Sequence, residues 1–99
     1  KLSKKKLFEG TKYNTGFDNR DVLETMYKVF TEIEQYCHEN DVTGGSVSPT
    51  EFEMWALFVK GDGYSNLREN CIDCVASKAT DDPDIQNEIK SACLDRYLT

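Results

Sequence analysis

Cys71 and Cys74 stand three residues apart, and Cys37, His38 and Cys93 are the other soft ligands in the chain. A C-x-x-C pair raises three chemistries. Thiol–disulfide exchange needs its first sulfur at a helix N-terminus, where the dipole lowers the thiol pKa. The surrounding pattern puts this pair inside a helix, with Asp73 between the sulfurs and Glu69 close by. Negative neighbours raise a thiol pKa, so redox catalysis is disfavoured. Zinc would take Cys71, Cys74, Cys93 and either Cys37 or His38 as four ligands. One pair on a helix face is a poor match to the two knuckles that structural zinc sites use. Disulfides would join Cys37 and Cys93 to the Cys71–Cys74 helix in a secreted chain, since two cysteines on one regular helix rarely bond each other. The reading we favour is plainer: four small hydrophobes in one helical core, in a reducing compartment.

Other catalytic constellations are missing. His38 is the only histidine, and it falls at the acidic end of a predicted helix, a place for a dipole partner rather than a base. There is no G-x-S-x-G, Walker-type loop or H-E-x-x-H. Asp62 to Asn66 begins like a calcium loop, but Leu67 and Cys71 stand inside it and Asp73 stands at its twelfth position, so it fails as an EF-hand. Asp81, Asp82 and Asp84 suit a helix start. The sequence therefore points to a non-enzyme.

Those residues are positioned by a run of helical patterns. Leu23, Met26, Phe30, Ile33 and Cys37 recur at three- and four-residue steps, which predicts a helix over about 19–39, with Asp18 as its cap. Ser48-Pro49-Thr50-Glu51 is a capping box with Pro at the first helical position. The helix it opens has Phe52, Trp55, Ala56 and Val59 on one face, and Gly61 and Gly63 end it. A third helix is expected over about 66–78, capped by Ser65, with Leu67, Cys71, Cys74 and Val75 inward. Asp82-Pro83 starts the last, which turns Ile85, Ile89, Ala92 and Cys93 to the core. Residues 40–47 read as a loop with a weak extended candidate over 41–48.

The expected architecture is all-α: a compact four-helix domain over 18–99, preceded by an irregular basic lead-in over 1–17 that Tyr13 and Phe17 pin down. The 99 residues leave room for one domain. No apolar run reaches the ~20 residues that cross a bilayer.

Charge bears on partners. The net charge is -6, yet four of the 12 basic residues are Lys1, Lys4, Lys5 and Lys6. Everything after them carries all 18 acidic groups against the remaining eight basic ones, a net of -10. Such a body repels phosphate backbones, so nucleic-acid binding by it is disfavoured and a basic protein partner is favoured. The second helix is apolar on more than one side. Met54 and Phe58, flanked by Glu51 and Asp62, are thus the candidate partner-binding residues. The favoured function is a protein-recognition or adaptor module binding a basic or amphipathic partner. No signal-peptide pattern follows the lysines and no initiator Met is present, so the expectation is a cytoplasmic fragment of a longer protein rather than a secreted chain. The competing reading is a secreted small-ligand carrier with two disulfides and a cavity lined by Met26, Phe30, Trp55 and Val59.

The stretch from Asp62-Gly63-Tyr64-Ser65-Asn66-Leu67 through Ala79-Thr80-Asp81-Asp82-Pro83-Asp84-Ile85 resembles the helical all-α insertion domains of conjugative coupling ATPases. The resemblance covers under half of the chain and implies a substrate-recognition domain in DNA transfer or type IV secretion. The Walker motifs of such ATPases are absent from this sequence, so no ATPase activity and no site residue carries over.

Overall fold

The computed structural model describes residues 3–42 and 47–98. All of its regular elements are helical. Helix α1 is Lys4–Thr15, α2 is Arg20–Glu39 and α3 is Pro49–Gly61. The run from 67 to 79, here α4, starts as an α-helix at Leu67–Cys71, widens to a π-helix at Ile72–Ala76 and closes as an α-helix at Ser77–Ala79. The run from 83 to 94, here α5, is α-helical at Pro83–Ile89 and π-helical at Lys90–Leu94. The all-α expectation holds, but with five helices. The Cα radius of gyration is 12.5 Å, close to the ~13 Å of a compact 100-residue domain.

The lead-in corrects the irregular segment expected over 1–17. Ser3 caps α1 by accepting from the Lys6 N–H, and Gly16 stops it in a left-handed conformation at φ 75°. Leu7, Phe8 and Thr11 turn inward, and the Thr11 hydroxyl donates to the Leu7 carbonyl at 2.8 Å. Phe8 stacks on Phe52 and meets Tyr27 edge-on. Phe17 is fully buried against the edge of Tyr64, with ring centroids 5.0 Å apart. Phe17 thus pins the segment as expected, whereas Tyr13 does not, being 90% exposed. The first turn of α1 is all lysine, against the helix dipole. Part of that cost is offset, because Lys4 pairs with Glu24 and sits over the rings of Phe8 and Tyr27. The pairing with Lys4 also holds the Glu24 carboxyl below its ordinary pKa.

The remaining starts and stops follow local chemistry. Asn19, one residue after the expected Asp18, caps α2 by accepting from the Val22 N–H. The capping box of α3 forms as expected, with the Ser48 N–H donating to Glu51 Oε1 at 2.9 Å. Asn66 rather than Ser65 precedes α4, held left-handed at φ 54°. Asp82 caps α5 with Pro83 at its first position. Half of the extended candidate over 41–48, residues 43–46, lies outside the described residues, and the described half, 41, 42, 47 and 48, is not strand.

One continuous core joins all five helices, built around Met26, Phe30, Ile33, Phe52, Trp55, Val59, Ile89 and Leu94. Phe52 is its hub, meeting Phe30 and Trp55 edge-on. The Trp55 indole N–H donates to the Leu67 carbonyl at 3.0 Å and ties α3 to α4. The π-helical stretches change which residues face in, because the wider turn brings more neighbouring side chains to one side. Cys74, Val75 and Ala76 are all buried, as are Cys93 and Leu94. Ala92, expected in the core, is therefore rotated into solvent.

Candidate functional site

Two groups of sequence candidates resolve differently. The four cysteines are free thiols on α2, α4 and α5. Cys71, Cys74 and Cys93 are buried and Cys37 is half-buried. Burial pushes every one of these thiols up in pKa, Cys93 to about 11. Carboxylates add to the effect: Glu34 beside Cys37, Asp73 beside Cys74, Glu32 beside Cys93. At neutral pH all four are protonated and poor nucleophiles. Among the described residues no group of three or more His, Cys, Asp or Glu side chains is arranged to hold a metal ion. The zinc set of Cys37 or His38 with Cys71, Cys74 and Cys93 is thus not assembled. Its sulfurs are packed along three helices as parts of the hydrophobic core. The same holds for the cavity-lining set: Met26, Phe30, Trp55 and Val59 belong to the packed core cluster.

The α3 candidates lie together on the surface. The buried positions Phe52, Trp55, Ala56 and Val59 fix the phase of the helix. At ~100° per residue, Met54, Leu57, Phe58 and Gly61 fall on the opposite side. The three large side chains are 45%, 49% and 50% exposed respectively, a half-covered apolar ridge. Leu57 was not singled out from the sequence, although it follows once the inward residues set the phase. Tyr13, expected as a pin, is instead more exposed than any of these three.

The ridge has two flanks. Toward α1 lie Glu53, whose Oε1 accepts from Asn14 Nδ2 at 2.9 Å, and Lys60, whose ammonium donates to the Thr15 carbonyl at 3.0 Å. A Cβ at Gly10 would stand 3.5 Å from a Glu53 oxygen, an ordinary contact, so the approach of α1 does not depend on glycine there. Tyr13, the residue before Asn14 on α1, stands in solvent. Toward α4 lie Glu51 and Asp62. Glu51 Oε1 accepts from the Ser48 N–H and hydroxyl, and Asp62 Oδ2 accepts from Asn70 Nδ2 at 2.7 Å. Both predicted acidic partner residues therefore have structural duties, and they stand at opposite ends of the same flank of α3.

Other features hold the frame. The Arg68 guanidinium donates to Asp95 through Nε and Nη2, joining α4 to the end of α5. The Tyr36 hydroxyl donates to Glu88, which with burial pushes the phenol up to about 12. Among the described residues no buried side-chain polar atom lacks a hydrogen-bond partner, and no helix is long and apolar enough to cross a membrane.

Comparison with protein-family models, curated proteins and solved structures gave no match. The likeness of 62–85 to coupling-ATPase insertion domains accordingly has no counterpart among them.

Proposed function

We propose that the protein is a non-catalytic recognition module that docks a protein partner on the outer face of α3. The observation that carries this reading is the ridge of Met54, Leu57 and Phe58. These side chains stand half exposed on a helix whose other face is fully buried, so they add nothing to the core that would explain their apolar character. Three half-exposed side chains fall short of the ~800 Å² per partner of a standard stable interface. The contact is therefore transient, or extends over α1. The acidic body favours a basic partner, whose association weakens in salt. A reducing, cytoplasmic setting is part of the reading, in keeping with four unbridged cysteines.

Site-specific photocrosslinking tests it. A photoreactive benzoylphenylalanine replaces Leu57 in one chain and the exposed Ser91 of α5 in another. The expected result is a discrete protein adduct from position 57, absent from position 91 and lost when Phe58→Asp is added. Adducts of equal yield from both positions, or none from position 57, would end this reading.

A further inference from the structure

The flanks of the ridge select among occupants, granted that the ridge docks a protein at all. Consider first a second copy of this chain, packed ridge to ridge about a two-fold axis with the α3 helices antiparallel. That axis keeps each flank facing the same flank and reverses the direction along the helix. Glu53 then meets Lys60 of the other copy, but both are already engaged with α1. On the α4 flank Glu51 meets Asp62, twice over, and the net charge of each chain is -6. Like charges face each other where the surface is otherwise apolar, which opposes self-pairing.

A cationic partner turns both repulsions into attractions. Glu51 and Asp62 are separated by eleven residues, three turns of helix and about 16 Å along its axis. Residues eleven apart return to nearly the same side of any α-helix. We propose that the ridge takes an amphipathic partner helix whose apolar stripe covers Met54, Leu57 and Phe58. One flank of that helix carries two Lys or Arg residues eleven positions apart, opposite Glu51 and Asp62. Apolar contact supplies the affinity. The two charge pairs set register and partner choice, as rim charges do. The carboxylates suit this role because they are held in place: Glu51 by the Ser48 cap and Asp62 by Asn70. Little side-chain freedom is left to lose on binding.

The test uses two synthetic eighteen-residue helical peptides with one common leucine stripe. One carries lysines at positions 4 and 15, the other glutamates there. Fluorescence anisotropy against the whole chain gives the ratio of their affinities. Exposed pairs contribute a few tenths of a kcal/mol each, attractive in one peptide and repulsive in the other. The expected preference for the lysine peptide is therefore about tenfold at low salt. The double variant Glu51→Gln, Asp62→Asn keeps both hydrogen-bond acceptors, including the cap, which glutamine also satisfies. It is expected to bring the preference close to one while thermal unfolding shows the fold intact. Phe58→Asp is expected to abolish binding of both peptides. Equal affinity for the two peptides, a preference that survives the double variant, or binding of neither overturns the proposal. So does sedimentation of the free chain as a dimer that Leu57→Asp dissociates. An adduct at position 57 with no peptide preference removes this partner and leaves the docking role standing, whereas no adduct removes the docking role itself.

Discussion

The outer face of α3 and the buried faces of α4 and α5 contrast chemistry with placement. The buried faces hold residue types that often react, Cys71, Cys74 and Cys93, and place them where they behave as small apolar side chains. The ridge holds residue types that normally pack, Met54, Leu57 and Phe58, and leaves them half in water. A cysteine becomes a site when its surroundings stabilise the thiolate. Here burial and neighbouring carboxylates do the reverse. A leucine becomes a site when nothing in its own chain covers it.

The largest effect that sharpens this contrast comes from the two faces of α3 itself. Trp55→Ala opens the core between Phe52 and Leu67 and is expected to cost about 3–5 kcal/mol in urea unfolding. Phe8→Ala and Phe17→Ala belong in the same range, because α1 is part of the core. A stability unchanged by Phe8→Ala would return the N-terminal segment to the status of an irregular lead-in. Gly16→Ala comes next, at about 1 kcal/mol. It strains a φ of 75° and brings a Cβ to 2.7 Å from the Lys60 ammonium, whose side chain must move.

The thiols give a pH signature. Cys93 holds its proton to about pH 11 in the folded chain, while an unfolded thiol loses it near pH ~8.5. Between those values the unfolded chain binds fewer protons than the folded one, so stability falls as pH rises and is fully retained below. Cys93→Ala is expected to flatten that decline in denaturant titrations between pH 8 and 11. A decline unaltered by the substitution would show that Cys93 ionises freely. The smallest effect belongs to the ridge: Met54→Gln with Phe58→Gln is expected to shift unfolding by within about 0.5 kcal/mol. A loss above 2 kcal/mol would make the ridge a part of the core.

What the sequence revealed divides along physical lines. The stripe of α2, the Ser48–Glu51 box of α3 and the Asp82-Pro83 start of α5 were legible because each rests on contacts within a few residues. Helix α1 was missed because three lysines crowd its first turn and Gly10 interrupts it. Its signals were present in the Ser3 cap, the Gly16 stop and the inward spacing of Leu7, Phe8 and Thr11. The π-helical turns were not legible, since a reading at 3.6 residues per turn assumes them away. Ala92 went to the wrong side for that reason. At the site, Met54 and Phe58 were found from the excess of apolar positions, whereas Leu57 needed the phase of the helix. The structural ties of Glu51 and Asp62 divide in the same way. The capping bond of Glu51 is local and was expected, but Asp62 is held by Asn70, a full helix start away.

Trp55 is the only tryptophan in the chain, and it lies fully buried with its indole N–H bonded to the first carbonyl of α4. The molecule therefore carries a single built-in optical reporter at the junction of two helices. Its emission reads the integrity of the core without label or background from a second indole. Because the ring points away from Met54, Leu57 and Phe58, changes on the outer face leave its colour alone. Each surface variant thus comes with an internal record of whether the fold beneath it is still intact.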